Sequence, residues 1–395
     1  MQTSQPLLRL KLTTWDVVVV GAGIAGSVMA RELAREGLKV LLIDKKRFPR
    51  AKVCGACLNG LALSVLDHFG LTTQIKAAGG VPLHTFSGKQ SGRELNLKML
   101  DGLAISRTTL DPILAQAAVD AGALFQEETT VSLGVSGQDD CKVALERHGE
   151  HCEISARIVV VAAGLAPQIL ANQMEFESII QPNSKIGAGC IINEAPESYR
   201  SGVIYMAVGK AGYVGLVRVE GNQMDVAAAF DPQFMKMQES PGKAAQFVIQ
   251  EAGFVPIPGL DSSRCKWLGT PALTRRTRSI ASDRVFLLGD SAGYVEPFTG
   301  EGMGWALASV VLLKPILLKA VKQWRNGLAE EWQTAYQGFV GNRQRLCKLL
   351  ARSLARPKVS MVAFRFARIA PGLTGKMVRN INAPFKFSSE RIENS

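Results

Sequence analysis

Histidine is scarce: four in 395 residues. None of His68, His84, His148 and His151 sits at a spacing that builds a metal site or a catalytic triad. The seven cysteines are odd in number and scattered from Cys54 to Cys347. That excludes a secreted disulfide framework and fits a reducing compartment. No long apolar run goes unbroken, since the longest, Trp305 to Val321, contains Lys314 and Pro315. Residues 1–15 lack the apolar core of a signal peptide, so a cytoplasmic location is expected, with peripheral membrane attachment left open. Repeats and low-complexity linkers are absent. Acids are missing from one place: Gly341 to Ser389 holds eleven Lys or Arg and no acid before Glu390, so the net charge of +12 is largely C-terminal.

What is present is ordinary globular composition, 47% hydrophobic and 20% charged. Asp16 to Val20 is a β-branched run of the kind buried on both faces of a parallel sheet. Gly21 to Gly26 forms a loop, and a helix follows with Ala30, Leu33 and Ala34 inward. Arg31, Glu32, Arg35 and Glu36 are expected outside, with a stop at Gly37. Lys39 to Ile43 is a second buried strand ending in Asp44, which completes a βαβ unit. Asn59 to Phe69 reads as helical. A helix is expected to start at Asp111-Pro112 and run to Ala121. Lys142 to Glu146 and Cys152 to Ser155 flank a polar turn, a hairpin. Ile158 to Val161 and Arg284 to Leu288 are further apolar strands. From about 166 to 270, short mixed segments predict an antiparallel layer. Gly302 to Val321 predicts an apolar helix, bent or ended at Pro315.

Gly21-Ala22-Gly23-Ile24-Ala25-Gly26 fits G-x-G-x-x-G. Its glycines permit the tight turn, the approach of a pyrophosphate and close helix packing. The helix N-terminus offers free N–H groups to phosphate. Asp44, followed by Lys45, stands where a carboxylate accepts ribose hydroxyls. The hexapeptide alone does not separate FAD from NAD. The segment from Val285 does: Gly289-Asp290 ends a strand with a carboxylate for a ribityl hydroxyl. Gly300, Gly302 and Met303 then open a helix whose N–H groups face an isoalloxazine edge.

These blocks, with Pro49-x-x-Lys52-x-Cys54-Gly55 and Arg107 ahead of Leu110-Asp111, resemble the para-hydroxybenzoate-hydroxylase-like flavoprotein superfamily. Within it they resemble the geranylgeranyl reductase family, over residues from about 14 to 320. The resemblance implies that Arg107 contacts FAD, that the backbone near Val131 contacts the adenine, and that Cys54 lies on the substrate side of the flavin. It implies an α/β fold: a Rossmann-like FAD-binding domain (14–75, 104–165 and 271–325), an antiparallel substrate domain (76–103 and 166–270) and a basic helical C-terminus (326–395).

Three departures from the relatives bear on chemistry. The Asp-Gly pair that hydroxylases carry is replaced by Ala163-Gly164, within Ala162 to Pro167, which puts NAD(P)H as direct electron donor in doubt. The aromatic Tyr-x-Trp-x-Phe-Pro segment is reduced to Tyr213, and a halogenase Trp-x-Trp-x-Ile-Pro block is absent. The expected activity is that of an FAD-dependent oxidoreductase on a hydrophobic substrate, by hydride exchange at flavin N5. Hydroxylation through flavin C4a and oxygen is the alternative, and a non-enzymatic flavin redox sensor a third reading. Cys54 and Cys57 have three readings: packing, a catalytic or tuning role for Cys54, or a dithiol. Glu301 is expected to cap the helix, with proton donation the alternative. Leu346, Leu349, Leu350, Leu354, Val362, Phe364, Phe366 and Ile369, interleaved with arginines, would suit a membrane surface or an acidic carrier protein, or else pack on the flavin domain. No nucleic-acid partner and no metal are expected.

Overall fold

The computed structural model describes residues 4–99, 101–137, 139–165, 167–296, 300–354 and 383–387. Ala166, Pro297 to Thr299, and Val362, Phe364, Phe366 and Ile369 of the basic segment lie outside the described residues.

The chain alternates between two large sheets. It opens in the first with β1 (Trp15–Val20) and β2 (Val40–Ile43), then crosses to the second for β3 (Thr85–Gln90) and β4 (Arg93–Lys98). It returns for β5 (Leu124–Gln126), β6 (Thr130–Ser136), β7 (Cys141–Arg147) and β8 (Glu150–Val161). It crosses again for β9 (Ile186–Ile192), β10 (Val203–Val208), β11 (Gly212–Arg218), β12 (Met224–Phe230) and β13 (Leu268–Ala272), and closes in the first with β14 (Ala281–Ser282) and β15 (Val285–Leu287). The first sheet has the order β14-β15-β8-β1-β2-β5, with the β6–β7 ribbon attached to β8. The second runs β13-β9-β12-β11-β10-β3-β4.

The first sheet is parallel where its valines predicted: β1 pairs in parallel with both β2 and β8, and β8 with β15. Val17, Val18 and Val19 are fully buried, each contributing on the order of 1.5–3 kcal/mol of transfer free energy. The polar turn forms as a hairpin, with His148 and Gly149 at φ 50° and 83°, the positive values that a two-residue type I′ loop requires. The second sheet is antiparallel except for one pair, β3 with β10, which is parallel because the chain leaves for the first sheet between them.

The helices pack mostly with the first sheet. They are α1 (Leu7–Lys11), α2 (Ile24–Arg35), α3 (Gly60–His68), α4 (Arg107–Asp120), then α5 (Pro241–Ala252) on the second sheet, and α6 (Gly302–Lys322), α7 (Gly327–Tyr336) and α8 (Asn342–Leu354) back on the first. Three expectations are corrected. Helix α4 starts at Arg107 rather than Asp111, because the Ser106 side chain accepts the Thr109 N–H and caps it there. Helix α6 continues past Pro315 rather than ending there: the proline is exposed, while Leu313, Ile316 and Leu317 stay packed inside. Glu32 is buried rather than outside, because Arg31 and Lys314 (3.5 Å) neutralise it. Helix α6 is long and apolar enough to cross a membrane, but most of it is buried against α2, α3 and α7 as a core helix.

Candidate functional site

The strand register lines up one edge. Gln126, Ile43, Val20, Val161 and Leu287 form a row across β5, β2, β1, β8 and β15. The chain therefore delivers Asp44, Gly21, Ala162 and Gly289 to the same crevice, at the carboxyl ends of parallel strands where such sheets take their ligands. Gly21 has φ 105°, and a side chain there would strike the Ala162 carbonyl. A Cβ on Gly26 would collide with the Gly21 carbonyl oxygen, which is the close helix-to-loop packing the third glycine allows. The first hydrogen bond of α2 runs from Ser27 N–H to Gly23 O. The N–H groups of Ile24, Ala25 and Gly26 therefore have no intrahelical partner.

Asp44 is buried, and its carboxylate accepts the Ala22 N–H (2.9 Å), the Lys46 N–H (3.0 Å) and Arg50 Nη2 (3.1 Å). Lys45 beside it is exposed to solvent. Val131 lies in β6, two residues after Thr129, whose N–H donates to the Asp44 carbonyl. The backbone near Val131 and the Asp44 carboxylate thus flank one end of the crevice.

Above Gly23 stand two guanidinium groups. A Cβ at Gly23 would lie 3.5 Å from Arg107 Nη2 and 3.8 Å from Arg50 Nη2. Arg107 is buried and bidentate on Asp111, at 2.7 and 2.9 Å. Burial opposes its charge, and Asp111 more than restores it, holding its pKa above the ordinary value. Arg50 bridges Asp44 and Asp111 (3.2 Å), and its Nε is buried without a hydrogen-bond partner among the described residues. A buried guanidinium N–H without a partner, two guanidinium groups above Gly23 and unpaired helix N–H groups together make a donor set for a pyrophosphate. The residues fit the cofactor.

The second segment meets the first directly. Gly289 (φ 62°) packs against the Ala25 side chain, 3.3 Å from its own Cβ position. Asp290 is paired with Lys52 at 3.6 Å, and Lys52 Nζ lies 3.5 Å from the Cβ position of Gly164. Ser291 Oγ donates to the Gly164 carbonyl at 3.1 Å. Gly300 has φ 74°, Gly302 is the first residue of α6 and Met303 is buried. Glu301 occupies the N-cap position but makes no side-chain cap hydrogen bond. Its carboxylate is turned toward Arg343 of α8 (3.9 Å), so capping does not explain it.

Residues 52–57 run between this crevice and the second sheet. Val53 lies 3.2 Å from the Cβ position of Gly189 in β9. Cys54 packs on the main core near the Arg107 charge, whereas Cys57 faces the separate cluster of Leu83, Ala104 and Val217. Both thiols are free. Burial raises both pKa values, and Arg107 opposes the rise at Cys54. Neither is a ready thiolate. Antiparallel register puts Gly189, Ala227, Gly215 and Met206 on the sheet face that meets this loop. Ala188, Val226, Val214 and Leu216 face the opposite way, into the core beneath α5. The inward face thus carries the small residues Gly189, Gly215 and Ala227 beside Met206, with Tyr213 toward one end and Asp225 toward the other. Tyr213 neighbours Glu296, which is buried and paired with Lys185 at 3.1 Å.

The sequence missed Arg50, Asp111, Lys185 and Asp225. Asp111 had a signal, its i,i+4 spacing from Arg107 on one helix face. The others depend on long-range contacts that no local pattern records.

A model of an FAD-binding domain family matches residues 14–333. The chain is 27% identical over 82% of its length to conditioned medium factor receptor 1 of Dictyostelium discoideum, covering 67% of that protein. It is 25% identical over 80% of its length to digeranylgeranylglycerophospholipid reductase 1 of Methanothermobacter thermautotrophicus, covering 79% of it. Among solved structures it is similar to the flavin-dependent brominase Bmp2, with TM-score 0.77, 16% identity and 94% of each chain covered, a likeness of fold. The chain belongs to this FAD-binding family and is an FAD-dependent oxidoreductase.

Proposed function

We propose that this oxidoreductase reduces or dehydrogenates a carbon–carbon bond of an elongated apolar substrate. One observation carries the reading: a sheet face floored by Gly189, Gly215 and Ala227 stands opposite the crevice where Gly289-Asp290 and the Cys54 loop converge. Such a floor receives a flat or chain-like apolar molecule without polar anchors along its length. The digeranylgeranylglycerophospholipid reductase of similar sequence supports the lipid class. FAD, when bound, supplies hydride exchange at its N5 with a substrate carbon. The chain's own part is to hold and shield. Arg50, Arg107 and the α2 N-terminus hold the phosphates, Asp290 a ribityl hydroxyl, and the α6 N-terminus favours negative charge at the pyrimidine edge. The loop 52–57 closes one side and keeps water from the reacting carbon.

Photoreduction under strict anaerobiosis, followed by addition of a geranylgeranyl lipid, tests this. Return of the oxidised flavin spectrum without oxygen is expected. Reoxidation only on admitting oxygen would favour hydroxylation, and none with any substrate would favour a sensor.

We infer further that the protein is cytoplasmic and touches a membrane through its basic C-terminus. In support, α8 exposes Leu346 and Leu349 among Arg345 and Lys348. Without a carboxylate at Ala163, a nicotinamide donor would have to bind otherwise than in the hydroxylases; spectra with and without NADPH read this directly.

A further inference from the structure

Asp225 is the one acidic side chain on the inward face of the second sheet among the residues opposed to the Cys54 loop. It sits in the middle of the sheet, paired across to Val217 of β11 on one side and Ile191 of β9 on the other. It is 5% exposed, and its Oδ1 has no hydrogen-bond partner among the described residues. A buried carboxylate left so would cost several kcal/mol, so the group is held neutral. Burial accordingly drives its pKa well up, Glu220 adds to the rise, and Arg107 opposes it. Those two, with the thiols of Cys54, Cys57 and, next to Ile191 on β9, Cys190, are the titratable and charged groups around it. A strand position between valine and isoleucine has no structural need for an acid. A neutral carboxyl is at once a donor and an acceptor, and here it lies beside the apolar floor.

We propose that Asp225 is a specificity residue whose carboxyl group donates a hydrogen bond to a neutral acceptor oxygen, such as a carbonyl, of the otherwise apolar substrate. The inference rests on the substrate face assigned above and narrows its occupant. The preferred ligand is an apolar chain bearing one carbonyl-type oxygen, not a bare hydrocarbon and not a carboxylate, which would bring a second acid to the same buried place. Sites built to bond a polar group reject analogues that lack it far more strongly than apolar pockets reject a missing methylene.

The test uses the full-length FAD-loaded protein and perturbation of its flavin spectrum by 2-tridecanone and by tridecane, delivered in the same detergent. Wild type is expected to bind the ketone at least about tenfold more tightly than the hydrocarbon, the worth of one hydrogen bond to a buried donor. Asp225→Leu should bring the two affinities together. Asp225→Asn, whose amide still donates, should keep most of the preference. Raising pH should weaken ketone binding in wild type, as the donor is lost, and leave Asp225→Asn unaffected. Equal flavin content in the three proteins shows that cofactor loss is not the cause. A wild-type protein with no ketone preference, or an Asp225→Leu protein that retains it, overturns the proposal. Anaerobic turnover is read separately: ketone preference without turnover removes the reductase reading and leaves Asp225 in place, and turnover without preference does the reverse.

Discussion

The crevice and the sheet face opposite it are built by different means. At the crevice, each buried polar group has a partner close by in space and usually in sequence: Asp44 with Ala22, Lys46 and Arg50, and Arg107 with Asp111. The donors left over are Arg50 Nε and the first N–H groups of α2. On the sheet face, small residues admit the 52–57 loop closely, as Val53 on Gly189 shows, and Asp225 is left without a partner at Oδ1 among the described residues. One region is complete except for its anion, whereas the other is apolar but polar at a single point. A ligand common to a family can be held by a short, rigid motif, while the substrate is set by side chains on strands that meet only after folding.

The sharpest way to break that contrast is to put a side chain into the motif. Gly26→Val drives a branched side chain into the Gly21 carbonyl, and backbone cannot yield as a flexible side chain does. The expected product is apoprotein or insoluble chain, read by absorbance of released flavin per mole of protein. Gly215→Ala on the sheet face should by contrast keep full flavin, because its added Cβ meets only atoms at 3.6 Å. Loss of flavin in both would show that the two regions are not separable. A smaller effect is expected from Arg50→Ala. It removes one of two guanidinium groups over Gly23 and uncouples Asp44 from Asp111, so FAD affinity should fall about 10- to 100-fold. Arg50→Lys should restore it in part, since a point charge cannot bridge both carboxylates. Unchanged affinity on fluorescence titration of apoprotein with FAD would remove Arg50 from the phosphate site.

The same contrast explains what could be read in the sequence. The valine run, the glycine loop, Asp44 and Gly289-Asp290 are local patterns, and each found its place because strand, turn and helix N-terminus are decided within a few residues. Register then did the rest, since five parallel strands ending in one row bring those patterns together. The start of α4 was misplaced because Asp111-Pro112 is a good helix opening in isolation, whereas the Ser106 cap is reinforced by Glu220, far away in the chain. Glu32 looked exposed because its partner Lys314 comes from α6. Asp225 could not be seen at all. In Met224-Asp225-Val226 it reads as an alternating strand's solvent-facing residue, and only the packing of the 52–57 loop on that face makes it an interior one.

The smallest effect expected concerns stability, and it separates the two regions by sign. Folding takes Asp225 from an ordinary carboxyl, titrating near 4, to one whose pKa burial has raised well above that. Between those two values the native state holds a proton that the unfolded chain has lost. Stability from this group is therefore full below about pH 4 and falls as pH rises toward the native value. Asp225→Asn has no such proton, so its Tm against pH should be flatter over that window. Asp225→Val places a β-branched apolar residue between Val217 and Ile191, removes an unsatisfied buried group and should raise Tm by a few degrees. Removing a partnered acid of the crevice does the opposite: Asp111→Asn strips charge from beneath two buried guanidinium groups and should lower Tm. A substitution that stabilises the fold while removing ligand preference marks a residue kept for recognition. Were Asp225→Val instead to lower Tm as Asp111→Asn does, the acid would be part of the scaffold, and the two regions would be built alike.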